Sequence, residues 1–147
     1  DSCGCTMADG TTSITSDGGK QFFEHFYSYM DTGRSNLKHL YHEASKVVWN
    51  GKSIQGRENV ERFLTDLPPS KHEACSLDCQ PVIPQGSGTA GKEEDPMILV
   101  SVMGTVQYGQ LEAKPPPDAR PFCQSFVLGK DTATGSYFIV TDNYRLL

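Results

Sequence analysis

Apolar residues recur at helical spacing in the first half of the chain and at strand spacing in the second. Phe22, Phe23, Phe26, Tyr27 and Met30 share one face of a 3.6-residue turn, which predicts an amphipathic first helix. After a break at Asp31-Thr32-Gly33, Leu37, Leu40 and Tyr41 repeat that spacing and predict a short second helix. Lys46-Val47-Val48-Trp49, Asn50-Gly51 and Lys52-Ser53-Ile54 read as a hairpin, because Asn-Gly accepts the positive φ angles of a type I′ turn. Val60, Phe63, Leu64 and Leu67 predict a third helix, which Pro68-Pro69 stops.

Beyond Glu73 the period changes to two, and strands are expected over residues 73–82, 97–108, 121–130 and 136–147. The Gly-rich, acidic stretch 84–96 and the stretch 111–121 with Pro115-Pro116-Pro117 read as exposed loops. Residues 1–12 carry no periodic pattern and are expected to be a disordered leader, ahead of a single domain over 13–147. Helices with a hairpin between them, followed by a meander of long strands, make an α+β layout.

Alternation sorts the later strands into two faces. Ile98, Val100, Val102, Val106, Tyr108, Phe122, Phe126, Leu128, Phe138, Val140, Tyr144 and Leu146 are expected on the core face. The opposite face then carries Met97, Leu99, Ser101, Met103, Thr105, Gln107, Cys123, Ser125, Val127, Tyr137, Ile139, Thr141, Asn143 and Arg145. A solvated sheet face normally shows Lys and Glu, whereas this one has a single charge, Arg145, among small polar and soft apolar groups. Depletion of charge with Met, Tyr and Arg retained is the composition of a protein interface. No unassigned amphipathic segment is long enough to cover this face from within the chain, so a partner polypeptide is expected to.

Composition narrows the alternatives. A formal charge of -5, with no two Lys or Arg adjacent, disfavours a nucleic-acid surface, which depends on clustered cations. No apolar run approaches the roughly 20 residues of a membrane span, and a soluble intracellular protein is the default. Cys75, Cys79 and Cys123 fall within expected strands, where a thiol packs as a small hydrophobe, and this suggests a reducing compartment. Cys3 and Cys5 with Cys75 and Cys79 lack the spacing of common zinc sites, so neither metal nor cofactor is expected.

Leu40-Tyr41, Val48-Trp49-Asn50-Gly51, Gln55-Gly56, Leu67-Pro68, Asp78-Cys79-Gln80-Pro81-Val82, Gln124-x-Phe126 and Asp142-x-Tyr144-Arg145 together resemble the nuclear transport factor 2 family, over residues 13–147. Within it the likeness leans to the export proteins, small subunits of messenger-RNA export receptors. The resemblance implies a cone-like fold, with a strongly bent, mostly antiparallel sheet around three helices. It also implies a heterodimer with the related domain of the receptor's large subunit, sheet face to sheet face, and nucleoporins reached through that complex. It places the protein at the nucleus and nuclear pore, shuttling to the cytoplasm. Arg145 matches the position of an Arg that pairs with an acidic residue of the large subunit, and a planar guanidinium suits a buried carboxylate. Asn143, Thr141, Ser125, Cys123, Met103 and Ser101 are expected around it, with Asp78 and Gln80 on the adjoining strand.

The same resemblance covers a homodimeric import carrier of Ran-GDP, which carries an acidic residue directly after the hairpin Trp. Here that residue is Asn50, although Glu112 and Asp118 lie in the later loop. The fold also hosts isomerases and dehydratases with a cavity Asp or His. Asp142 falls on the core face, where it is expected to accept hydrogen bonds that hold the bend rather than to act as a catalyst. His25, His39 and His42 are expected at helix surfaces, His72 in solvent at a strand start, and Trp49 in the core. The expectation is a non-enzymatic protein.

Overall fold

The computed structural model describes residues 10–82 and 96–147. The first helix, α1 (Gly10–Thr32), extends N-terminally beyond the aromatic stripe that predicts it and buries Phe22, Phe26, Tyr27 and Met30. It ends at Gly33, whose N–H closes the last turn on the Tyr29 carbonyl at 2.9 Å. Residues 10–12 of the expected leader are helical, and residues 1–9 lie outside the described residues.

The expected second helix is a 3-10 segment, Arg34–Leu40, and Tyr41 already begins a strand. A single apolar anchor, Leu37, is buried from this segment. Arg34 holds the junction in place of packing: its guanidinium donates to the carbonyls of Met30, Leu64, Leu67 and Pro68 and to the Ser70 hydroxyl. Strands β1 (Tyr41–Trp49) and β2 (Lys52–Gln55) form the hairpin, with Asn50 at φ 50° and Gly51 at φ 83°, as the type I′ turn requires. Helix α2 (Arg57–Asp66) buries Val60 and Leu64 and stops before Pro68-Pro69.

Four long strands follow: β3 (Ser70–Val82), β4 (Met97–Tyr108), β5 (Arg120–Lys130) and β6 (Tyr137–Leu146). With the hairpin they make one unclosed six-stranded sheet in the order β2-β1-β6-β5-β4-β3, curled over the helices. Every neighbouring pair is antiparallel except β1 and β6, which run parallel. Ser45 repairs the break in that parallel ladder between Tyr41 and Lys46, its buried hydroxyl donating to the Ile139 carbonyl at 2.6 Å.

The core lies between α1 and the inner sheet face, where Ile98, Val100, Val102, Val106, Phe122, Phe126 and Leu128 are all buried as alternation requires. On β6 the alternation breaks. The β5–β6 register shifts between Val127 and Leu128, leaving Val140 without a partner, so Ile139 turns inward and Phe138 and Val140 do not. A bulge inserts one residue and reverses the faces on one side of it, which corrects the expected placement of Phe138, Val140, Tyr137 and Ile139. Tyr137 packs near Gly18 of α1, while Phe138 and Val140 lie over Gly129. A second bulge, between Ala74 and Ser76, exposes Cys75, contrary to its expected burial.

Candidate protein-docking face

Pairing across the sheet converts the outward positions into rows. Gln80, Leu99, Val127, Thr141 and Lys46 form one row, and Asp78, Ser101, Ser125, Asn143 and Val48 the next. Ser76, Met103, Cys123 and Arg145 form the third. The nine residues expected at an interface thus fall on one continuous face. Arg145, Asn143, Ser125, Met103, Asp78 and Gln80 are exposed, and Thr141, Cys123 and Ser101 are half-buried.

Met103 is 55% exposed in the middle of this face, although an apolar side chain of its size is ordinarily removed from water. One residue away across β5, Arg145 projects with no hydrogen-bond or ion-pair partner among the described residues. Its guanidinium lies beside the hairpin, with Nη1 3.9 Å from where a Cβ on Gly51 would sit. Asn50 joins the hairpin to β6: its N–H donates to the Tyr144 carbonyl at 2.8 Å and its Oδ1 accepts the Leu146 N–H at 2.7 Å. The side-chain amide thereby takes over the accepting role of a strand carbonyl where the backbone turns away.

Lys46 and Val48 on β1 also belong to this face, and pattern reading missed them because nothing local announces that β1 pairs with β6. The half-buried Phe138 was missed for the bulge; the His42 ring stacks on it at 3.8 Å. His25, His39 and His42 are exposed, although His42 lies in β1 rather than a helix.

The inner face holds the side chains an enzyme would need, bound into the core. Asp142 is fully buried; Tyr41 donates to its Oδ2 at 2.7 Å and Gln124 to its Oδ1 at 2.8 Å. Tyr27 in turn donates to Gln124 at 2.6 Å. Burial pushes the Asp142 carboxyl up to about 6, the two donors opposing that shift, and burial beside Asp142 raises the Tyr27 and Tyr41 hydroxyls well above their ordinary values. Trp49 is core, stacked on Tyr144 at 3.9 Å and only 4% exposed.

His72, expected in solvent, has a side chain only 1% exposed. Its Nδ1 meets Asp31 at 2.7 Å and its Nε2 meets the Tyr144 hydroxyl at 3.0 Å, which also accepts from Tyr108 at 2.8 Å. The reason is Asp31 at the end of α1, which accepts from the His72 N–H and the Ser70 hydroxyl and draws the start of β3 onto the helix.

Grooves of about 360 and 370 Å³ lie between β2 and α2 and between α1 and the β5–β6 turn, and neither is lined by Asp142 or His72. Among the described residues no three His, Cys, Asp or Glu side chains are grouped to hold a metal; Cys3 and Cys5 lie outside them. No helix among them is long and apolar enough to cross a membrane.

Comparison with known proteins bears on the same fold. Residues 18–146 match the family described as the Nuclear transport factor 2 (NTF2) domain. Nuclear transport factor 2B of Arabidopsis thaliana is 38% identical over 129 residues, covering 86% of this chain and 90% of the relative. The NTF2-related export protein of Caenorhabditis elegans is 32% identical over 126 residues, covering 86% and 83%. The solved nuclear transport factor 2 of Cryptosporidium parvum superposes with a TM-score of 0.72 at 25% identity, over 97% of this chain and 100% of that one. A domain-wide match, a curled six-stranded sheet and relatives of like length agree: the chain belongs to the nuclear transport factor 2 domain family.

Proposed function

We propose that this chain is a non-enzymatic subunit of a messenger-RNA nuclear export receptor, docking through its outer sheet face onto the related domain of the large subunit. The observation that carries the reading is the exposed Met103 in one row with Arg145, which has no partner among the described residues, on a face whose centre has no other charge. Arg145 is the charged anchor, paired with a partner carboxylate. Asn143, Thr141, Ser125, Cys123, Met103 and Ser101 form the surrounding layer, and Asp78 and Gln80 the margin. The C. elegans relative named as an export protein supports this choice. So does Asn50, an amide where the resemblance gives a carrier of Ran-GDP an acidic residue. The protein then works at the nucleus and nuclear pore, shuttling to the cytoplasm and meeting nucleoporins through the complex.

A second reading, a homodimeric import carrier of Ran-GDP, is favoured by the 38% identity to the Arabidopsis factor. Sizing of the purified chain alone, followed by addition of Ran-GDP, separates the two. A stable homodimer that binds Ran-GDP refutes the export assignment, and a stable complex with a co-expressed large subunit supports it. For the anchor, Arg145→Ala and Arg145→Asp are each co-expressed with that subunit. Removing one member of a desolvated ion pair costs about 2–5 kcal/mol, and wild-type recovery by both variants rules Arg145 out.

A further inference from the structure

We infer that Asn50-Gly51 is a self-modifying site, whose amide is lost spontaneously to leave a carboxylate that pairs with Arg145. Four features converge on this turn. Asn50 and Gly51 are both exposed, and Gly51 has no side chain to hinder approach to its nitrogen. The Gly51 N–H has no hydrogen-bond partner among the described residues, so its proton is available to solvent base. The Leu146 N–H on Oδ1 at 2.7 Å draws electron density from the Asn50 Cγ carbonyl and makes that carbon the better electrophile.

The chemistry needs only water. Base removes the Gly51 amide proton, and the nitrogen attacks Cγ of Asn50 to close a succinimide ring. The Cγ–Nδ2 bond breaks and ammonia leaves. Water then opens the ring at Cγ to give an ordinary aspartyl residue, or at the backbone carbonyl to give the isoaspartyl form, so a water is consumed, an ammonia released and no electrons are transferred. The other asparagines in described structure, Asn36, Asn59 and Asn143, precede Leu37, Val60 and Tyr144 and lie within the 3-10 segment, α2 and β6.

The product sits where it matters. The bonds from Asn50 to Tyr144 and Leu146 place it opposite Arg145 in the β1–β6 ladder, with the guanidinium against Gly51. A carboxylate there keeps the Leu146 N–H and gives Arg145 a partner inside its own chain. The isoaspartyl form instead adds a methylene to a two-residue turn that has no slack. The consequence, that an aged free chain loses its charged anchor while a docked chain has its turn covered, rests on the docking reading above; the reaction itself does not.

Two measurements test it. The purified chain is incubated at neutral to mildly alkaline pH and asparagine-containing peptides are followed by mass spectrometry, with Asn50→Gly, which suits the same turn, as the control without an amide. Asn50 is expected to convert first and by a wide margin; conversion no faster than Asn36, Asn59 or Asn143 overturns the site. In Asn50→Asp the new carboxyl is titrated by NMR with Arg145 present and in the Asn50→Asp, Arg145→Ala double variant. The pairing predicts a pKa lower by about one unit when Arg145 is present. Equal values overturn the pairing while leaving the docking reading to its own test.

Discussion

Replacing Asp142 by Asn removes a buried carboxylate whose hydrogen-bond partners among the described residues are neutral, the Tyr41 hydroxyl and the Gln124 amide. An Asn side chain fits the same place, accepting from Gln124 and donating to the Tyr41 oxygen, so the variant is expected to fold. The folded pKa of Asp142 is about 6, against 3.8 in a solvated chain. Because the folded value is raised, the wild type has its full stability from this group below the unfolded pKa and loses it as pH rises through the folded one. A difference of roughly 2 units corresponds to about 3 kcal/mol in total, of which about 1 kcal/mol falls between about pH 5 and pH 7. Trp49 is the only tryptophan and is stacked in the core, so urea unfolding followed by its fluorescence reads the transition at each pH. Wild type minus Asp142→Asn is expected to fall by that amount across the window and to flatten above it. Parallel stability curves for the two proteins would refute the claim that burial outweighs the two donors at the Asp142 carboxyl.

Other substitutions test the packing and the face. A Cβ on Gly104 would lie 2.0 Å from the Glu73 carbonyl oxygen, so Gly104→Ala is expected to abolish cooperative unfolding by forcing β3 from β4. A Cβ on Gly19 would stand 2.5 Å from the Cys79 sulfur; Gly19→Ala should cost about 1–3 kcal/mol, and less in a Cys79→Ala background. Met103→Lys should leave the isolated chain's stability within about 0.5 kcal/mol, since the side chain already meets water, yet, on the docking proposal, abolish co-purification with a large subunit.

Local patterns located most of the scaffold. The aromatic stripe found α1, Asn-Gly found its turn, and alternation found both bounds of β4, Met97 and Tyr108, along with the outward direction of Ser101, Met103, Cys123 and Ser125. Tertiary terms escaped it. The parallel pairing of β1 with β6 joins residues as distant as Val47 and Asp142 and leaves no trace in either strand. The bulges at Cys75 and Val140 are decided by what lies across the sheet, so a strict period of two carried Ile139 to the wrong side. His72 followed its polar neighbours into expected solvent because its partners, Asp31 and Tyr144, stand 41 and 72 residues away. The residues expected at an interface were legible for the opposite reason: each lies in a stretch of regular pairing beyond the bulges, alternating with a core that is unambiguous.

The central position of β6 orders events during synthesis. The β1–β2 hairpin leaves the ribosome early, but among the described residues its only other neighbour in the sheet comprises residues 137–146. Until that sixth strand emerges and inserts, β5 ends in an unsatisfied edge and the hairpin has nothing to lie against, a state exposed to aggregation. Nascent chains therefore cannot display the assembled rows until translation has passed that strand.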